Sequence, residues 1–253
     1  MSFQLFTGYF TATINARLKR PPMLINDNRA YRLVLLLALS VVSSSALAHG
    51  VDDNTRSFLQ QNTGVQFGPF LYIGAKHMLT GYDHLLFLVG VIFFLYRSRD
   101  VLLYVTMFTV GHSITLLWGV LGDIQVNAYL IDTIIGLSVV YKGFDNLGGF
   151  KRVFGRQPDT RLAVLIFGLF HGFGLATKLQ EFQLPGQGLL TNLLAFNIGV
   201  ELGQFAALAF ILIAINFWRR SAFFERFATF ANTLLMSAGF MLMGYQLTGF
   251  TLQ

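Results

Sequence analysis

From residue 70 onward the chain is organised by six apolar stretches with short polar segments between them. They cover residues 70–96, 101–121, 128–147, 162–179, 189–218 and 227–250. Each is near the roughly 20 residues that an α-helix needs to cross about 30 Å of hydrocarbon. A backbone in lipid must satisfy its own polar groups, so the pattern predicts helices rather than open sheet. The first and fifth stretches are long. In the first, Gly81 is the expected turn between a surface helix over 70–80 and a steeper span from Tyr82.

Residues 1–48 read as a leader and cleavable signal peptide. Arg29 and Arg32 form its positive region, 33–42 its apolar region, and Ala46-Leu47-Ala48 a small-x-small cleavage site. Cleavage there makes His49 the mature amino terminus; the alternative is an uncleaved first helix. Met23 is a second candidate start, because residues 23–48 have the length of an ordinary signal. Residues 49–69 are a polar extracytoplasmic lead-in, and 70–250 the transmembrane domain. His49, with Asp52 and Asp53 close behind, is a weak metal candidate or simply part of an exposed tail.

Charge orients the spans. Arg97, Arg99, Lys151, Arg152, Arg156, Arg161, Arg219, Arg220 and Arg226 all fall at the exits of the first, third and fifth spans. The opposite loops, 122–127 and 180–188, carry no Lys or Arg. Positive-inside bias therefore puts these nine residues in the cytoplasm and both mature ends outside. Composition agrees: 54% of residues are apolar and only 12% charged, about half the charge of a soluble domain. A soluble enzyme is excluded on that ground. The net charge of +6 is accounted for by the membrane, without nucleic acid, and no GxxxxGK[ST] loop points to a nucleotide. There is no cysteine, so thiolate chemistry is absent.

The candidate chemistry lies in the spans. His77, Asp83 and His84 occur in the first, His112 in the second, Asp132 in the third, His171 in the fourth and Glu201 in the fifth. Ionisable groups in lipid are costly, so they are expected to face an interior site. His77 and His84 are two helical turns apart, and Asn197, Glu201 and Gln204 follow at i, i+4, i+7. His77, Asp83, His84, His112 and His171 form the expected metal-contacting set, with Asp132, Asn197, Glu201 and Gln204 supporting it. Imidazole with carboxylate suits a divalent transition metal such as Ni, Co or Zn. Gly168-x-x-x-Gly172 and Gly199-x-x-x-Gly203 are close-approach patterns, expected to bring spans four and five together. Lys142 and Asp145 read as a local pair.

A faint repeat sets Phe108 to His112 against Phe196 to Val200, 88 residues on. The same spacing sets Asp83-His84 against His171-Gly172, which makes a 3+3 inverted repeat a candidate arrangement.

The sequence resembles the HupE/UreJ family of bacterial membrane proteins, in its second subfamily. The resemblance rests on residues 74–87 (GAKHMLTGYDHLLF), 108–116 (FTVGHSITL), 131–138 with Asp145-Asn146, 170–174 (FHGFG) and 196–204 (FNIGVELGQ). It implies a nickel or cobalt permease in which His77, Asp83 and His84, the His-x5-Asp-His element, contact the metal. Asp132 and Asp145 stand where that subfamily commonly has glutamate.

Three functions follow from these residues. The first is an inner-membrane transition-metal permease. The second is a membrane-embedded zinc hydrolase, with Glu201 as base and Ser113 and Ser138 adding hydroxyl contacts. The third is a structural or assembly partner of a membrane complex, and homo-oligomer formation is compatible with any of them.

Overall fold

The computed structural model describes residues 64–181 and 186–252. The leader, the signal peptide, Met23, His49 and most of the lead-in lie outside the described residues. Among the described residues eight helices follow in order: α1 (Phe67–Thr80), α2 (Tyr82–Ile92), α3 (Ser98–Leu121), α4 (Ala128–Asn146), α5 (Gly149–Phe154), α6 (Thr160–Gln180), α7 (Leu189–Arg219) and α8 (Phe224–Thr251). Helices α3, α6, α7 and α8 are each long and apolar enough to cross a membrane. Trp118, Phe210, Ile213, Phe217 and Met241 all stand outward and exposed on these helices. An apolar surface of that extent suits lipid rather than water. The protein is an all-α, multi-span membrane protein.

Local chemistry sets the helix limits. The Asn127 side chain accepts the Leu130 N–H at 3.2 Å to cap α4, and Asp159 accepts from Arg161 at 2.8 Å to cap α6. The first apolar stretch breaks where expected. Gly81 is extended, at φ −71° and ψ 96°, and separates α1 from α2. A β-carbon at Gly81 would lie 3.0 Å from both the His77 carbonyl oxygen and His84 Nδ1. Glycine leaves the break uncrowded, since any side chain there would press on the His77 carbonyl and the His84 ring.

Three helix pairs build the bundle, and glycines decide how each pair meets. Helix α3 runs parallel to α6, with Gly168 and Gly172 laid against the Phe108 and His112 carbonyls. A β-carbon at Gly111 would come within 2.5 Å of the Leu165 oxygen. Helix α1 runs parallel to α7 in the same manner: Gly74 meets the Phe196 carbonyl, while Gly199 and Gly203 meet those of Leu71 and Ala75. Helices α4 and α8 are antiparallel and cross at Gly136 and Gly239, where β-carbons would lie 2.9 Å from Met243 N and 2.7 Å from Val140 N. Without a hydrophobic drive between helices in lipid, such close backbone approach supplies the packing energy. The two small-residue patterns therefore do not join spans four and five. Each seats its helix on a different partner, because the glycine faces match carbonyl ridges on α3 and α1.

A network of polar groups closes the end of the bundle where the basic residues gather. Lys142 Nζ meets Asp145 Oδ2 at 2.5 Å, with both side chains under 10% exposed, and Gln157 also reaches Asp145. Asn146 Nδ2 donates to the Gly90 oxygen and to Asn232 Oδ1, each at 2.8 Å. Arg219 donates to the Ile92 and Phe93 oxygens at 2.6 and 2.7 Å, which satisfies the carboxyl end of α2.

Candidate functional site

Four histidines from four helices meet around His84. The His84 ring centroid lies 5.2 Å from His77, 5.9 Å from His112 and 4.9 Å from His171, all edge to face. His84, His112 and His171 are at most 3% exposed. The break at Gly81 is what brings His77 to His84, since the two would stand about 10 Å apart along a regular helix. Buried Phe87, Phe108 and Phe196 wall the group, with Phe108 4.9 Å from His171 and Phe196 6.2 Å from His77. The glycines at 168 and 172 set His171 against His112 by drawing α6 onto α3.

Hydrogen bonds orient two of the rings. His171 Nδ1 is 2.8 Å from the Phe167 carbonyl, which can only accept, so Nδ1 carries the proton and Nε2 a lone pair. His84 Nδ1 lies 3.0 Å from Asp83 Oδ1, and the same carboxylate oxygen accepts the His84 backbone N–H at 2.9 Å. Nδ1–H to carboxylate or carbonyl with a free Nε2 is how metal-binding histidines are held. Nε2 of His77, His84 and His171, and both ring nitrogens of His112, are buried without a protein hydrogen-bond partner. Each such nitrogen costs about 1–3 kcal/mol if nothing occupies its lone pair or proton. A neutral imidazole keeps one N–H, so these five nitrogens offer at most four lone pairs, one from each ring, to a cation.

Among the described residues, no three His, Asp or Glu donors are already arranged as a metal shell. The rings are gathered, and their nitrogens are not yet aimed at one point. Two imidazoles sharing one tetrahedral ion at about 2.1 Å have centroids roughly 5 Å apart.

The supporting residues divide. Asp132 lies beyond the cluster, paired with Lys178 at 3.2 Å and accepting from Gln246 Nε2 at 3.3 Å. Gln204 is buried and its Oε1 accepts from Thr109 at 2.7 Å, linking α7 to α3. Asn197 donates to the Leu193 carbonyl at 3.2 Å, and its Oδ1 is buried without a partner. Glu201 does not join the cluster; it is exposed on α7. Gly199 and Gly203 face α1, and residue 201 lies about 200° round the helix from either. Ser138 is turned to its own helix, donating to the Ile135 carbonyl at 2.6 Å. Lys178 and Gln246 were missed as site neighbours. The i, i+7 spacing of His171 and Lys178 was the signal for the first; nothing local marked the second.

Comparison with known proteins gives one match. Residues 53–253 fit the family model described as HupE / UreJ protein. No curated protein and no solved structure matches the chain. The matched span covers every described helix and all four clustered histidines. The chain belongs to the HupE/UreJ family.

Proposed function

We propose that this protein is an inner-membrane permease for a divalent transition metal of the nickel or cobalt kind. The carrying observation is the set of five orphaned imidazole nitrogens gathered around His84. Family membership supports the same reading. His77, Asp83, His84, His112 and His171 hold the cargo, with Asp83 orienting His84. The hydrolase reading loses its base, because Glu201 faces away from the histidines.

In this reading the chain crosses the membrane six times after signal cleavage. Helices α1 and α2 together make the first, broken span and α4 the third. The basic end is cytoplasmic, and the histidines lie in the outer half of the bundle.

The helix pairings support a 3+3 inverted repeat with a revised alignment. Phe108 and Gly111 of α3 correspond to Phe196 and Gly199 of α7, at the spacing of 88. Gly168 on Phe108 mirrors Gly74 on Phe196, and Leu165 on Gly111 mirrors Leu71 on Gly199. That sets α1 against α6 at a spacing of 94, which pairs His77 with His171 rather than Asp83-His84 with His171-Gly172. Broken helices at a repeat interface are where many secondary transporters bind cargo.

The test combines metal analysis with uptake. Purified wild type is expected to bind Ni2+ or Co2+ reversibly and admit it to liposomes, and His84→Ala to lose both. A stoichiometric zinc that survives chelation, with no uptake, would overturn the permease reading.

A further inference from the structure

We propose that Lys178 is a tethered stand-in for the cargo cation. Its ammonium neutralises Asp132 at the mouth of the histidine cluster when no metal is bound, and gives up that carboxylate when a metal arrives. The inference rests on the permease reading above.

Position comes first. Lys178 Nζ lies 3.2 Å from Asp132 Oδ2 and 3.5 Å from Oδ1. Lys178 shares a face of α6 with His171 and Gly174, at i, i+3 and i+7. A β-carbon at Gly174 would be 3.4 Å from Asp132 Oδ1, so Asp132 sits over the strip of α6 that leads from Lys178 down to His171. Exposure is highest at Lys178 and lowest at His171. The Lys178 side chain is 37% exposed and Asp132 14%, Asp83 24%, and His171 1%. Lys178 and the two carboxylates are thus all more exposed than His171. Lys178 is within electrostatic range of Asp83, His77 and His171 as well.

The chemistry follows from charge. Two carboxylates beside a buried histidine cluster attract a divalent cation, and a tethered ammonium beside them repels it and competes for the same oxygens. Lys142 shows what a merely structural lysine looks like here. Its partner is three residues away on the same helix, and both side chains are buried. Lys178 instead reaches across from α6 to α4, carries its charge on a flexible stem, and is open enough to swing outward. Exchange of one tethered cation for a mobile one keeps Asp132 partnered in both states. It also weakens cargo binding enough to permit release.

The experiment uses the full chain in detergent with Ni2+ as the probe. Ni2+ is expected to raise the rate at which a water-soluble amine-reactive ester labels Lys178 several-fold, read by mass spectrometry. By calorimetry, Lys178→Met should bind Ni2+ about tenfold tighter than wild type, and Lys178→Arg should restore the wild-type affinity. Labelling that Ni2+ leaves unchanged, or Lys178→Met binding no tighter than wild type, would overturn the inference. If wild type binds Ni2+ through His84 and those outcomes still occur, the stand-in role alone fails. If wild type binds no Ni2+, the permease reading and this inference fall together.

Discussion

Both ends of the bundle bury polar side chains, and the two groups are organised on opposite principles. At the basic end, Lys142, Asp145, Asn146, Asn232 and Arg219 all find partners in the chain, through bonds of 2.5–2.9 Å, and only Arg219 Nε among their polar atoms is buried without one. Around His84, five ring nitrogens find none. Both groups lie among apolar residues, so the medium does not explain the difference. A satisfied network holds helices in register, as Asn146 does in bridging α2 and α8. An unsatisfied one lowers stability unless a water or an ion binds there, which makes it a candidate site. Burial of polar groups in a membrane is thus weak evidence of function. The state of their hydrogen bonding is much stronger.

The comparison can be broken most forcefully at the basic end. Lys142→Met strands a buried carboxylate, and should lower unfolding stability in detergent by about 3 kcal/mol while leaving Ni2+ affinity unchanged. A loss of affinity matching the loss of stability would show that the two ends are not separate. His112→Leu makes the opposite prediction. It removes two orphaned nitrogens, so metal-free stability should rise by about 1 kcal/mol as Ni2+ affinity falls at least tenfold. A destabilised variant would mean that His112 is structural glue after all.

Smaller effects sharpen the boundary of the site. Asp83→Asn keeps the shape but weakens the bond that orients His84, and is expected to reduce Ni2+ affinity about tenfold. Titration calorimetry beside His84→Ala would check it, the alanine variant being the more damaged. Glu201→Gln should be the mildest, within about 0.5 kcal/mol in stability and neutral in binding, because Glu201 stands outside the cluster. A binding defect there would place the exposed face of α7 in the metal's path.

The sequence by itself determined the helical class, the break at Gly81, and the candidate histidines. Those features depend on local chemistry: apolar run length, a residue without a β-carbon, and the cost of an imidazole in lipid. The local pair at Lys142 and Asp145 was legible for the same reason, since three residues along a helix place two side chains together. Which face of each helix meets which neighbour was not. Lipid-facing and buried positions are alike in apolarity, so hydropathy cannot distinguish Phe210, which faces out, from Phe196, which is buried. The regular spacing of Asn197, Glu201 and Gln204 suggested a single stripe. Only the seating of Gly199 and Gly203 on α1 decided that Glu201 points away while Gln204 reaches Thr109. The partner of Lys178 was decided the same way, because Asp132 lies 46 residues away and meets it only after α4 packs beside α6. Spacing tells which residues share a face of one helix; only the packed bundle determines what that face meets.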